Sequence, residues 1–186
     1  MSRKTGDTVK CPKCKETICY DRWESINTSL NPEVKMNLLS GTFGEVVCPR
    51  CGTKSFLEYN FLYHDMQGKY MISVSDDYTD VLKNFTKIEG YRYRYVECTG
   101  DLVEKINIFD AGLNDIVIEI MKGVLKELLH IKERLSFVKR EDDFFLFYMT
   151  EANKVFSIKS DMYYKILEDC NDDDLEEKYE FMKIGY

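Results

Sequence analysis

A chain of 186 residues that is 44% hydrophobic and 32% charged has the material for one compact domain or two small ones. It contains no run approaching the roughly 18 apolar residues that a membrane helix needs. A formal net charge of −7 weighs against general nucleic-acid binding, which draws its affinity from cations meeting phosphates.

The acid is unevenly spread. Residues 1–60 hold 9 Lys and Arg against 7 Asp and Glu, whereas residues 61–186 hold 17 against 26. The N-terminus, Met1 to Asp7, has basic residues but no apolar run behind them, so no secretory leader is expected. A reducing cytoplasm is then the expected compartment, and free-thiol or metal chemistry the expected use of the seven cysteines.

In chain order, the first feature is Cys11-Pro12-Lys13-Cys14. After it, Glu16 to Tyr20 alternates like a strand and Asp21 to Asn27 carries it toward a bend. Asn31-Pro32-Glu33 opens a helix: Asn31 suits the N-cap, Pro32 the first helical position and Glu33 the positive helix end. Val34, Leu38 and Leu39 form its apolar side, and Gly41 ends it. Val46 and Val47 lead into a second pair, Cys48-Pro49-Arg50-Cys51, followed by Gly52. Lys54 to Tyr59 and Lys69 to Val74 read as strands, with Asn60 to Asp65 between them.

A second part begins near residue 76. Tyr78 to Phe85 reads as a short helix, and Tyr91 to Val96 as a strand with tyrosines on one face and solvated arginines on the other. Asp101 to Phe109 reads as a helix and Ala111-Gly112-Leu113 as a turn. Asn114 then caps a longer helix whose apolar stripe is Ile116, Ile120, Val124 and Leu128. Leu135 to Val138, Phe144 to Thr150 and Val155 to Lys159 form an antiparallel meander. Ser160 caps a last helix through Leu167, and an acidic tail runs from Asp169 to Glu177. The expected fold is α+β: a zinc ribbon over residues 1–75 and a mixed helix and antiparallel-sheet part over 76–186, closely packed on it.

The paired cysteines carry the chemistry. In each pair two intervening residues make a turn that aims both sulfurs at one ion about 2.3 Å away, and two such turns supply a tetrahedral zinc site. Proline lowers the entropy lost in closing the turn. Gly52 fits the left-handed residue that ends it; Lys15, at the equivalent place, costs about 1 kcal/mol there. A structural zinc site contributes about 10–16 kcal/mol, which outweighs that strain. Cys11, Cys14, Cys48 and Cys51 are the expected ligands of one structural zinc ion. The gap of 33 residues between Cys14 and Cys48 exceeds the usual four-cysteine spacing, and residues 28–41 account for the excess.

The remaining candidates read as structural. Cys19, Cys98 and Cys170 lack a Cys-x-x-Cys partner. His64 and Asp65 are the other pairing suited to acid–base work, but neighbours on a strand point to opposite faces. His130 suits a contact at a helix C-terminus.

These residues resemble the CpXC family, found mostly in bacteria and named for its paired Cys-Pro-x-Cys motifs. Beyond the cysteines, Trp23-Glu24-Ser25-Ile26-Asn27 is similar to the family's W-x-S-I-N segment, and Asn31-Pro32 with Leu38 to Gly41 to its helix. Phe61-Leu62-Tyr63-His64-Asp65 is similar to its Y-H-D segment. Arg94-Tyr95-Val96, Glu104-Lys105-Ile106 and Ile118-Glu119 with Lys122 resemble downstream blocks, giving coverage of about residues 8–130. The resemblance implies that Cys11, Cys14, Cys48 and Cys51 are metal ligands, and it brings no activity with it.

Three functions follow as expectations. The first is a non-enzymatic protein whose ribbon is structural and whose partner is another protein. The second is a nucleic-acid-binding ribbon using Lys10, Lys13, Lys15, Arg50 and Lys54. The third is a thiol oxidoreductase. It is weakened because strand-like sequence follows each cysteine pair, where a thioredoxin-like dithiol precedes a helix.

Overall fold

The computed structural model describes residues 1–77 and 87–170. The expected helix at Tyr78 to Phe85 and most of the acidic tail lie outside the described residues. The fold is α+β, with four helices and three sheets among the described residues. The chain divides into two units, Met1–Thr99 and Gly100 onward. The division falls at Thr99, not at residue 75, because a strand at residues 92–96 completes the sheet of the first unit.

That sheet has five strands: β1 (Arg3–Lys10), β2 (Thr17–Asn27), β5 (Phe61–Asp65), β6 (Tyr70–Val74) and β7 (Arg92–Val96), in that spatial order. β1 and β2 form an antiparallel hairpin, and β2 pairs with β5 in parallel over Ser25–Asn27. β5 and β6 form a second hairpin, and β7 joins β6 in parallel. The parallel step from β2 to β5 requires a crossover. It contains α1 (Pro32–Leu39) and a separate two-stranded hairpin, β3 (Glu45–Val47) with β4 (Lys54–Phe56).

Local chemistry explains α1. Pro32 stands at its start, Val34 and Leu38 face inward, and Leu39 is exposed. Asn31 occupies the N-cap position, but its side-chain amide donates to Glu33 Oε1 at 3.0 Å instead of capping a backbone N–H. Gly41, at φ 72°, ends the helix, with its N–H on Leu38 O and that of Thr42 on Asn37 O.

Two strands differ from expectation. β1 is a strand, and Phe61 to Asp65 is β5 instead of a connection. In β7, Tyr93 and Tyr95 are buried as expected. Arg94, however, is only 1% exposed and donates to Tyr93 O at 2.9 Å, so the arginine face is covered instead of solvated.

The second unit packs α2 (Thr99–Asp110), α3 (Asp115–Leu128) and α4 (Asp161–Asp169) with an antiparallel meander of β8 (Leu135–Glu141), β9 (Phe144–Met149) and β10 (Lys154–Lys159). Asn114 caps α3 by accepting the N–H groups of Ile116 and Val117 at 2.8 and 3.3 Å. The buried stripe of α3 is not the expected one. Ile116 is buried together with Val117, Ile118, Met121 and Leu125, while Ile120, Val124 and Leu128 are exposed, Leu128 by 64%. Steps of four residues turn the helix about 40° past a full rotation each time, so such a stripe drifts off the face it starts on.

Candidate metal centre

Each cysteine pair sits at the tip of a hairpin, and the two tips have the same construction. At the β1–β2 tip, the last strand pair is Lys10 with Thr17; at the β3–β4 tip it is Val47 with Lys54. Inside the first loop the Cys11 N–H donates to Glu16 O at 2.8 Å and the Lys15 N–H returns to Cys11 O at 3.0 Å. Inside the second, Cys48 N–H donates to Thr53 O and Gly52 N–H to Cys48 O, both at 2.9 Å. Lys15 at φ 62° and Gly52 at φ 70° hold the left-handed position that closes each turn. The proline turns thus repeat residue for residue, with lysine strained where glycine is relaxed.

The two tips meet. Cys11 Sγ lies 3.6 Å from Cys51 Sγ, and Cys14 Sγ lies 3.5 Å from Cys48 Sγ. All four sulfurs fall within 4.8 Å of one another. Four sulfurs about 2.3 Å from a shared ion would stand about 3.8 Å apart in a tetrahedron, so the observed cluster fits a four-thiolate metal site. The first cysteine of each tip is buried and the second half-buried. Ile18 and Val46 complete a small apolar bed beneath them, with Val9, Tyr20 and Leu57 packed against it.

The surroundings favour thiolates on three of the four sulfurs' hydrogen-bonding sides. Backbone N–H groups of Cys14 and Lys13 are directed at Cys11 and hold its thiol below the usual range, against desolvation. The Thr53 hydroxyl, 3.2 Å from Cys51 Sγ, is the main reason that thiol is lowered to about 6, and the Thr53 N–H adds to it. Cys14 receives the Glu16 N–H, which favours its thiolate, but desolvation and the three neighbouring sulfurs outweigh it and push the thiol up to about 12. Thiolates this close repel one another, and a divalent cation between them removes that repulsion. Thr53 was not singled out from sequence; its position two residues past Cys51 was the available signal.

The other candidates stay apart from this centre. Cys19, Cys98 and Cys170 do not join the sulfur cluster. His64 and Asp65 point to opposite sides of β5. His64 Nε2 lies 3.3 Å from Tyr91 Oη, and desolvation lowers its pKa. Asp65 accepts the Gly68 N–H at 2.8 Å and pairs with Lys35 at 3.2 Å. Of the basic residues near the tips, Arg50 lies 3.8 Å from Glu16 and Lys54 2.9 Å from Glu45.

Two hairpin tips clasping four cysteines, with a helix inserted between the hairpins, define a ribbon-type fold whose four sulfurs are placed to hold a metal ion. The family model described as CpXC protein matches residues 9–122, more than half of the chain, and the chain belongs to that family. No curated protein and no solved structure matches it. Among the described residues, no helix is long and apolar enough to cross a membrane.

Proposed function

We propose that this is a non-enzymatic interaction protein in which Cys11, Cys14, Cys48 and Cys51 hold one structural zinc ion. The carrying observation is the donor set: four sulfurs from two hairpin tips converge on one point. Sulfur donors in a tetrahedron select zinc or iron over hard cations. A protein shell of four thiolates leaves no position for the water or substrate that a catalytic zinc must bind. The reduced cysteines suit a reducing, cytoplasmic compartment.

A protein partner is favoured over nucleic acid by the charge balance and by the local pairing of Arg50 and Lys54 with acids. Metal analysis is expected to return one zinc per chain, and chelation to lower the melting temperature and reduce the strand signal in circular dichroism. A partner captured from the native host extract should be lost in chelator. One iron per chain would replace the zinc assignment. A melt and spectrum indifferent to chelation would overturn the structural role.

A further inference from the structure

Beside the metal centre, a recess of about 230 Å³ opens between the two hairpins. Tyr20, Asp21 and Trp23 line it from β2, Phe43 and Glu45 from β3 and the segment before it, and Tyr59 from the segment after β4. Three of these rings pack on one another: Phe43 and Tyr59 have centroids 5.8 Å apart, and Tyr20 and Tyr59 6.4 Å. Among the described residues no lysine or arginine lines it, whereas two carboxylates do. Aromatic rings and carboxylates lining one recess are complementary to a planar cation with several N–H donors.

The chain itself shows the affinity of this wall for cations. Lys4 Nζ sits 4.2 Å from the Trp23 ring centroid and 3.9 Å from Asp21 Oδ2. Glu45 is met by Lys54 at 2.9 Å. Both lysines are substantially exposed, and the Asp21 side chain is 71% exposed, so these pairs are weak and exchangeable. The recess is too small for most organic ligands but suits a single side chain.

We propose that this recess receives an arginine side chain of a partner protein, the guanidinium stacking on the rings and donating to Asp21 and Glu45. This rests on the interaction reading above and names the chemistry of the partner.

Trp23 is the sole tryptophan and lines the recess, so its fluorescence reports occupancy. The metal-loaded full chain would be titrated with a short alanine-rich peptide bearing one central arginine. Matched peptides would carry lysine or citrulline, the latter being neutral and nearly isosteric with arginine. A saturable Trp23 response to the arginine peptide is expected, weakened about tenfold or more by citrulline and about tenfold by Asp21→Asn with Glu45→Gln. An equal response to citrulline or to lysine, or none at millimolar peptide, would overturn the proposal without any variant having to fold. Binding unchanged in the double variant would overturn it as well. Chelator-sensitive partner capture that persists in the double variant would sink the recess and leave the interaction reading standing; the absence of any capture by the unaltered protein would count against the reading itself.

Discussion

Among the described residues, the buried apolar cluster around the four cysteines adds only Ile18 and Val46 to the cysteines themselves. The second unit, by contrast, buries Ile106, Val117, Met121, Phe137, Phe145 and Phe147 among many others, with Phe137 packed edge-on against both Phe145 and Phe147. On the proposed reading, the small cluster around the cysteines is what a metal ion held by the four sulfurs would reinforce. The second unit has enough apolar surface to tolerate burying charge. Lys105, 1% exposed, reaches Asp115 at 3.2 Å and Glu119 at 3.1 Å. Lys122 reaches Glu104 at 2.9 Å and Glu119 at 2.8 Å. Burial pulls Lys122 toward neutrality, but Glu104 and Glu119 outweigh it and keep the ammonium charged. Arg134 adds an ion pair with Asp101.

Cys48→Ser should break the comparison most. Losing one of four thiolates removes a ligand and part of the bed at once, so amide exchange in β1–β4 is expected to approach the unfolded rate. The amides of β8–β10 should keep their protection, because those strands belong to the second unit and the four cysteines to the first. Equal loss in both regions, read by hydrogen exchange with mass spectrometry, would show that the two share one cooperative unit.

The converse perturbation is Lys105→Ala, which takes the ammonium away from Asp115, a residue with 0% exposure, and from Glu119. Removing one partner of such a buried pair costs about 3–5 kcal/mol. Urea unfolding followed through the second unit should show that loss undiminished by chelator. A loss under about 1 kcal/mol would mean that water already reaches the pair.

How much of this was legible follows the range of the interactions. The four-cysteine cluster was readable because each knuckle is a six-residue local event and its spacing repeats. α3 was readable from its Asn114 cap, and α1, α2, the meander and α4 from their turn residues and apolar runs, although Asn31 and Ser160 stand at the N-cap positions of α1 and α4 without a side-chain cap bond. β1 was not: Arg3 to Lys10 offers one large apolar residue, Val9, because an exposed edge strand needs none. Arg94 misled because period-two alternation distinguishes two faces without saying whether both are covered. The α3 stripe misled through the drift of four-residue steps. The aromatic recess was illegible since β2, β3 and two connecting segments bring its walls together from across 40 residues.

Asp65 gives a smaller effect on the first unit away from the metal. Its carboxyl is desolvated, which would raise its pKa, but the Gly68 N–H and the Lys35 ammonium outweigh this and lower it. A carboxylate lowered in the folded state stabilises above its unfolded pKa of roughly 3.9, and that contribution fades as pH falls through the folded value. Asp65→Asn should therefore cost about 1 kcal/mol near neutral pH and converge with the unaltered protein at the acid end. A difference that stays constant down through that range would assign the effect to packing instead of charge.

The finest test lies within the four-cysteine site, where the two tips differ in the residue at the left-handed position. Lys15 is held at φ 62°, which costs a non-glycine residue about 1–2 kcal/mol, whereas Gly52 at φ 70° carries no such cost. Glycine at 15 would relieve that strain but would also gain freedom in the unfolded chain, about 0.4–1 kcal/mol in the opposite sense. Lys15→Gly should therefore stabilise by about 0.5 kcal/mol, and Gly52→Ala should destabilise by a similar amount. A Cβ at Gly52 meets no atom within 4 Å, so only the backbone conformation is being tested there. Paired melts of the metal-loaded variants would read both shifts. If Lys15→Gly destabilises, the lysine contributes something at the first tip that its backbone strain conceals, and the equivalence of the two knuckles would end at the backbone.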